Sequence, residues 1–240
     1  MKLLILLLFV NSFARAEDVK LIAGLKLEPL AKTEKIVLPE IAADQILVLD
    51  HDSALVVAGN KVHFYSFAKK TLLDSKAMTL PADCTRLALT VNAGQTQKSL
   101  YCFGSAPKKN GDSIRIFAKG SFDTLIKTPN KISALTGDTN RIFFTSADGL
   151  YQIRIHEGVK PVFASSFLNG VQSMAFDAKR DLIYLASKDQ IFSLRGGVLD
   201  VLAKGIGGQV FLLGDDLLIL DSTNQIWQLT GVTDLLTKQK

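Results

Sequence analysis

The sequence predicts an all-β chain assembled from repeated four-stranded units. A strand–turn–strand segment recurs along it: the run from Gln190 to Lys204 aligns with that from Gln225 to Lys238 after one deletion, and Leu150 to Phe163 has the same outline. The strand before each segment recurs as well, as Arg141-Ile-Phe-Phe-Thr-Ser146, Asp181-Leu-Ile-Tyr-Leu-Ala-Ser187 and Asp216-Leu-Leu-Ile-Leu-Asp-Ser222. The spacing is regular, with 40 residues from Arg141 to Asp181 and 35 from Asp181 to Asp216. Short apolar runs bounded by Gly, Asp, Asn and Ser turns read as strands, and a four-stranded repeat of about 35 to 45 residues marks a β-propeller blade. One small sheet cannot bury both of its apolar faces alone; in a ring each face meets a neighbour.

Taken from the N-terminus, Lys2, the apolar run Leu3 to Val10 and the small-residue pattern Ala14-Arg15-Ala16 read as a secretory signal peptide over residues 1–16. The run is too short to span a bilayer, so no transmembrane anchor is expected. Residues 17–240 are assigned to one propeller domain. Val19 to Lys32 resembles Ala54 to Lys69, and Glu34 to Pro39 resembles Ala77 to Pro81. This N-terminal stretch is therefore expected to supply two or three strands that close the ring against the C-terminal blade. Five fuller units follow: Ile46 to Thr79, Cys84 to Lys127, and three whose first strands start near Ile132, Val171 and Gln209. The expectation is a six-bladed ring with an incomplete N-terminal blade; the alternative is a five-bladed ring with an N-terminal flap.

Composition sets outer limits. The 240 residues are 48% hydrophobic and 21% charged, which excludes a disordered chain. The formal charge of +5 falls by two once Lys2 and Arg15 are removed, and the remaining basic residues are scattered. Nucleic acid is not an expected partner. Export implies a periplasmic or secreted protein in an oxidising compartment, where Cys84 and Cys102 are expected to pair across a hairpin turning near Asn92 to Gly94. No Cys-x-x-Cys motif points to redox work. The sequence carries no signal for an oligomeric state.

The stretch from Gln172 to Ser187, followed by Gln190-Ile-Phe-Ser-Leu194, resembles the blade rhythm of the NHL, SMP-30/gluconolactonase and YVTN-type propellers. The resemblance is clearest over residues 131–236. The gluconolactonase-like group would imply a divalent metal held by Glu, Asn and Asp side chains at the central channel. Glu40 and Asp221 fall nearest to such places, but neither sits in a matching motif. No metal ligand and no cofactor is assigned.

The residues that carry chemistry are read one by one. Asp50-His51-Asp52 is the densest ligand-like triplet, but it occupies the first turn of its unit, as Asp138 and Asp215-Asp216 do in theirs, and reads as turn chemistry. His63 and His156 lie in different units with no Gly-x-Ser-x-Gly elbow, so no catalytic residue is named. Asp148, Asp189, Asp221 and Asn224 share the turn between the second and third strands, which puts them on one face of a ring. They are read as a polar annulus for a cation or polar ligand, beside their ordinary preference for tight turns. Pro107 to Asp112 is a longer version of that turn, where Lys108 and Lys109 would meet an acidic surface. The chain is thus expected to be an exported soluble propeller, a non-catalytic binding or scaffolding module for a protein or envelope component on one face. The alternatives are a metal-dependent lactonase-like hydrolase acting at the channel and a small-ligand sensor.

Overall fold

A computed structural model describes residues 19–29, 43–50, 52–91, 98–105, 111–138, 140–154 and 157–232. The signal-peptide segment, Glu40, His51 and His156 lie outside the described residues. Two short strands come first, β1 (Lys20–Leu21) and β2 (Lys26–Pro29). Blade 1 is β3 (Gln45–Val48), β4 (Ser53–Ala58), β5 (Lys61–Ser66) and β6 (Thr71–Thr79). Blade 2 is β7 (Arg86–Val91), β8 (Lys98–Gly104), β9 (Asp112–Ala118) and β10 (Ser121–Thr128). Blade 3 is β11 (Ala134–Gly137), β12 (Arg141–Ser146), β13 (Gly149–Arg154) and β14 (Gly158–Phe163). Blade 4 is β15 (Ser173–Asp177), β16 (Leu182–Ala186), β17 (Gln190–Arg195) and β18 (Val198–Lys204), and blade 5 starts with β19 (Gln209–Leu213), β20 (Asp216–Leu220) and β21 (Ile226–Thr230). Every strand pair is antiparallel, and the first strands of the blades face one another around the axis.

Alternation along each strand sends its side chains into two different clefts. In β4, Ala54 and Val56 pack with Leu218 and Leu220 of blade 5, while Leu55 and Val57 pack with Leu87 of blade 2. In β16, Ile183 and Leu185 meet Phe143 of blade 3, while Leu182, Tyr184 and Ala186 meet Leu217 and Ile219 of blade 5. The cleft between blades 2 and 3 holds Tyr101, Phe103, Ile142 and Phe144. The second strands are unbroken apolar runs because both of their faces are buried. The core between blades 5 and 1 closes the circle.

The ring has five blades, which corrects the expectation of six. The described part of the N-terminal stretch, residues 19–29, supplies no inner strand; Glu34 to Pro39 lies outside the described residues. β1 runs beside β18 as a fifth, outermost strand of blade 4, pairing Lys20 with Lys204 and Leu21 with Ala203. β2 pairs with β21, from Lys26 opposite Thr230 to Pro29 opposite Trp227, and so becomes the outer strand of blade 5. The two strands do not form the hairpin that the likeness to Ala54–Lys69 suggested. A lone hairpin would leave two apolar faces uncovered, whereas the edges of blades 4 and 5 offer both a ladder and a core. Leu25, between the two strands, is buried with Leu182, Tyr184 and Leu229.

Polar groups at the first turns reinforce the clefts. Asp50 Oδ1 accepts from the Asp52 amide and the Ser53 hydroxyl, and Asp138 Oδ1 accepts from the Asn140 and Arg141 amides. This is turn chemistry, as the sequence implies for that position. Arg141 pairs with Asp138 and reaches across to Asp181 of blade 4; Arg180 pairs with Asp177 and reaches across to Asp215 of blade 5 at 2.7 Å. Cys84 and Cys102 are disulfide-bonded, with Cα atoms 5.4 Å apart. The ladder partner of Cys102 is Leu87, so Cys84 reaches it from the segment leading into β7 and not from directly across the hairpin. Closing a loop of this size is worth about 3 kcal/mol.

Deleting residues 17–29 removes one strand from each of two blades and is expected to lower the melting temperature by on the order of 10 °C; an unchanged melting curve would show that these strands close nothing. A second expectation concerns pH. Arg180 holds the Asp215 carboxyl below its ordinary range. The bridge therefore adds stability above the ordinary carboxylate pKa and loses it as pH falls through the lowered one. The gap in melting temperature between wild type and Arg180→Met should narrow as pH drops from about 5 to about 2. A constant gap would mean that Arg180 acts through packing alone.

Candidate ligand site at the mouth of the central channel

Among the described residues no ladder joins one blade to the next, and side chains link the inner strands at their starts. Gln45, Arg86, Ala134, Ser173 and Gln209 occupy equivalent first positions, opposite Val57, Phe103, Thr145, Ala186 and Leu220 respectively. The Gln45 amide makes a two-way clasp on blade 2: Nε2 donates to the Leu87 carbonyl at 2.9 Å, and Oε1 accepts from the Leu87 amide at 2.8 Å. Ser173 Oγ accepts from the Val210 amide of blade 5 at 3.1 Å. Ala134 has no polar atom to offer. Arg86 spans that gap, donating from Nη1 to the Ser133 carbonyl and from Nη2 to the Gln172 carbonyl at 3.0 Å. One side chain thereby links blades 2, 3 and 4. It lies over the Phe103 ring, 5.7 Å from the centroid, and among the described residues it forms no ion pair. Burial lowers its pKa from the usual guanidinium value.

Below these clasps the channel is filled. Leu47, Leu87, Leu135, Met174, Phe176 and Phe211 leave a cavity of only about 50 Å³. Above them the channel opens into a mouth of about 520 Å³. Gln45, Arg86, Gln172 and Gln209 border both spaces and form the throat between them. The rim adds Asp44, Lys188, Asp221, Ser222 and Asn224, with a glycine wall at Gly207 and Gly208. A Cβ on Gly207 would overlap the Ser187 carbonyl, and one on Gly208 the Leu220 carbonyl, so the connection between blades 4 and 5 can lie flat against the rim only as glycine.

The annulus expected from the sequence is only partly brought together. Asp221 and Asn224 line the mouth; Asp148 and Asp189 do not. Asp148 accepts from the Tyr151 hydroxyl at 2.7 Å, a bond that raises the tyrosine pKa, and Asp189 accepts from Ser187 Oγ at 3.1 Å. Asp221 is a turn former. Its Oδ1 accepts from the Thr223 amide and hydroxyl and the Gln225 amide, and its Oδ2 accepts from Trp227 Nε1 at 2.8 Å. The Asn224 backbone adopts a left-handed φ of 63° and leaves its side-chain amide unpaired among the described residues. Lys108 and Lys109 lie outside the described residues. The throat residues Gln45, Arg86, Gln172 and Gln209 were not singled out from the sequence. Their signal is a long polar residue at or just before the start of an inner strand in four of the five blades.

A divalent metal, as the gluconolactonase-like resemblance would imply, does not fit these residues. Among the described residues no three His, Cys, Asp or Glu side chains converge, and both oxygens of Asp221 already accept hydrogen bonds from its own turn and Trp227. Among the described residues no helix is long and apolar enough to cross a membrane.

The sequence matches no family model and no curated protein. Solved structures share the architecture. A calcium-binding regucalcin from Agrobacterium tumefaciens aligns with a TM-score of 0.51 at 16% identity, covering 81% of this chain and 77% of that one. A streptogramin B lyase aligns at 0.47 and 13% identity, covering 80% and 66%, and the Pan2 WD40 domain of Neurospora crassa at 0.46 and 10%, covering 76% and 60%. At such identities the likeness to regucalcin establishes the propeller fold and nothing about activity.

Trp227 is the single tryptophan, and Asp221 holds its indole. Asp221→Ala should shift its fluorescence to the red and lower the melting temperature by about 5 °C, since it strands several donors. Unchanged emission would mean that the bond does not fix the rim.

Proposed function

We propose that this chain is an exported, non-catalytic binding module that holds a component of the cell envelope in the open mouth of its channel. The observation that carries this reading is the mouth itself, about 520 Å³ of open space above a plugged channel, ringed by polar side chains with spare hydrogen-bonding capacity. Ligand sites fall in this size range and combine a firm wall with a few convergent polar groups. The five packed clefts supply the firmness. Apart from Asp44 and Asp221, the described side-chain groups at the mouth are amides, a hydroxyl, a guanidinium and an ammonium, which can bind and orient a ligand. Among the described residues the rim carboxylates are engaged, Asp44 with the Gly59 amide of the β4–β5 turn at 2.6 Å and Asp221 as described. That supports binding over the lactonase-like alternative. Export rests on the N-terminal sequence and agrees with the paired cysteines.

The test is retention of envelope components by the immobilised chain, compared with a variant whose mouth is filled by Ser222→Trp and with one lacking residues 107–112. A component held by wild type and released by Ser222→Trp is the expected result. Equal retention by wild type and Ser222→Trp would remove the mouth as the working site, and loss only in the loop deletion would move it to the Lys108–Lys109 turn.

A further inference from the structure

We propose that the throat of this mouth recognises a carboxylate on a hydroxylated ligand, the uronic-acid class of sugar, with Arg86 binding the carboxylate and the amides of Gln172 and Gln209 binding hydroxyls. This deepens the reading above and rests on it. The starting point is a charge that packing does not require. Gln45 clasps the neighbouring blade from the equivalent position with a neutral amide. A guanidinium partly withdrawn from water and without a carboxylate partner is a costly way to do the same job. Among the described residues Arg86 also spends only two of its five N–H donors, on the Ser133 and Gln172 carbonyls. Arg86 itself borders both the throat and the mouth.

The neighbours narrow the ligand. The Gln172 and Gln209 side chains border the throat and make no hydrogen bond among the described residues, nor does the Asn224 amide at the rim. Each amide offers a donor beside an acceptor, the pattern that adjacent sugar hydroxyls satisfy. Among the described residues Arg86 forms no ion pair, so a single negative charge seated on it is matched one for one, whereas a phosphate dianion would bring a second charge toward the Asp44 and Asp221 carboxylates of the rim. Arg pairs with a carboxylate through parallel N–H donors, a geometry that a neutral sugar cannot use.

The test is calorimetric titration of the mature chain with sodium glucuronate, glucose and inorganic phosphate. Glucuronate should bind at least about tenfold more tightly than glucose or phosphate, and Arg86→Gln should weaken it by about tenfold or more. Arg86 is also a clasp, so a second variant guards against loss of folding. Gln172→Ala combined with Gln209→Ala removes no clasp; it should leave the melting temperature unchanged and weaken glucuronate by about three- to tenfold. Absence of glucuronate binding, equal binding of glucose, tighter binding of phosphate, or an affinity indifferent to the Gln172 and Gln209 changes would each overturn the proposal. If glucuronate fails while Ser222→Trp still releases an envelope component, the mouth stands as a binding site and only its carboxylate selectivity falls.

Discussion

Each blade has two apolar faces and no way to bury them except against its neighbours. That constraint organises everything else in the molecule. It makes the second strands apolar on both sides, as in β4 and β16, and it makes five clefts where an open stack would have four. The cleft between blades 5 and 1 is the decisive one, because Ile46, Val56, Leu218 and Leu220 come from opposite ends of the chain. Blade 5 needs an outer strand to complete it, and β2 provides that strand from the N-terminal side. The N-terminal side of the chain is thereby laddered into the last blade, while a shared core joins that blade to the first.

Apolar clefts hold the blades face to face but leave the starts of the inner strands without a ladder. The side-chain clasps of Gln45, Arg86 and Ser173 answer that need, and they do so at the end of the channel that opens into the mouth. The opposite face is laced differently, by Asp–Arg–Asp bridges from blade 3 to blade 4 and from blade 4 to blade 5. Structure and recognition thus meet in one residue. Arg86 bridges the position where Ala134 offers nothing, and it borders the mouth above the throat.

The repeat was legible because its signal is local and periodic: strand-length apolar runs, Asp and Gly turns, and spacings of 35 and 40 residues. The turn role of Asp50 and Asp138 was legible for the same reason. Blade number was not, since the N-terminal likeness to a hairpin describes two strands without saying which edges they join. Of the turn residues read as an annulus, Asp221 and Asn224 lie at the mouth and Asp148 and Asp189 do not. Equivalent turns do share a face, but Asp148, Asp189 and Asp221 spend their oxygens on their own turns or on Tyr151 and Trp227. The throat escaped because Gln45, Arg86, Gln172 and Gln209 are far apart in sequence, and a lone polar residue at a strand start looks like an ordinary end of a strand. Only their convergence around one axis gives them meaning.

The most direct measurement is a crystal structure of the chain grown with sodium glucuronate. The expected result is a five-bladed ring with β2 on the edge of blade 5 and a carboxylate within hydrogen-bonding distance of the Arg86 guanidinium. A carboxylate seated on the Lys108–Lys109 turn, or an Arg86 guanidinium paired with a protein carboxylate and closed off from the mouth, would contradict it.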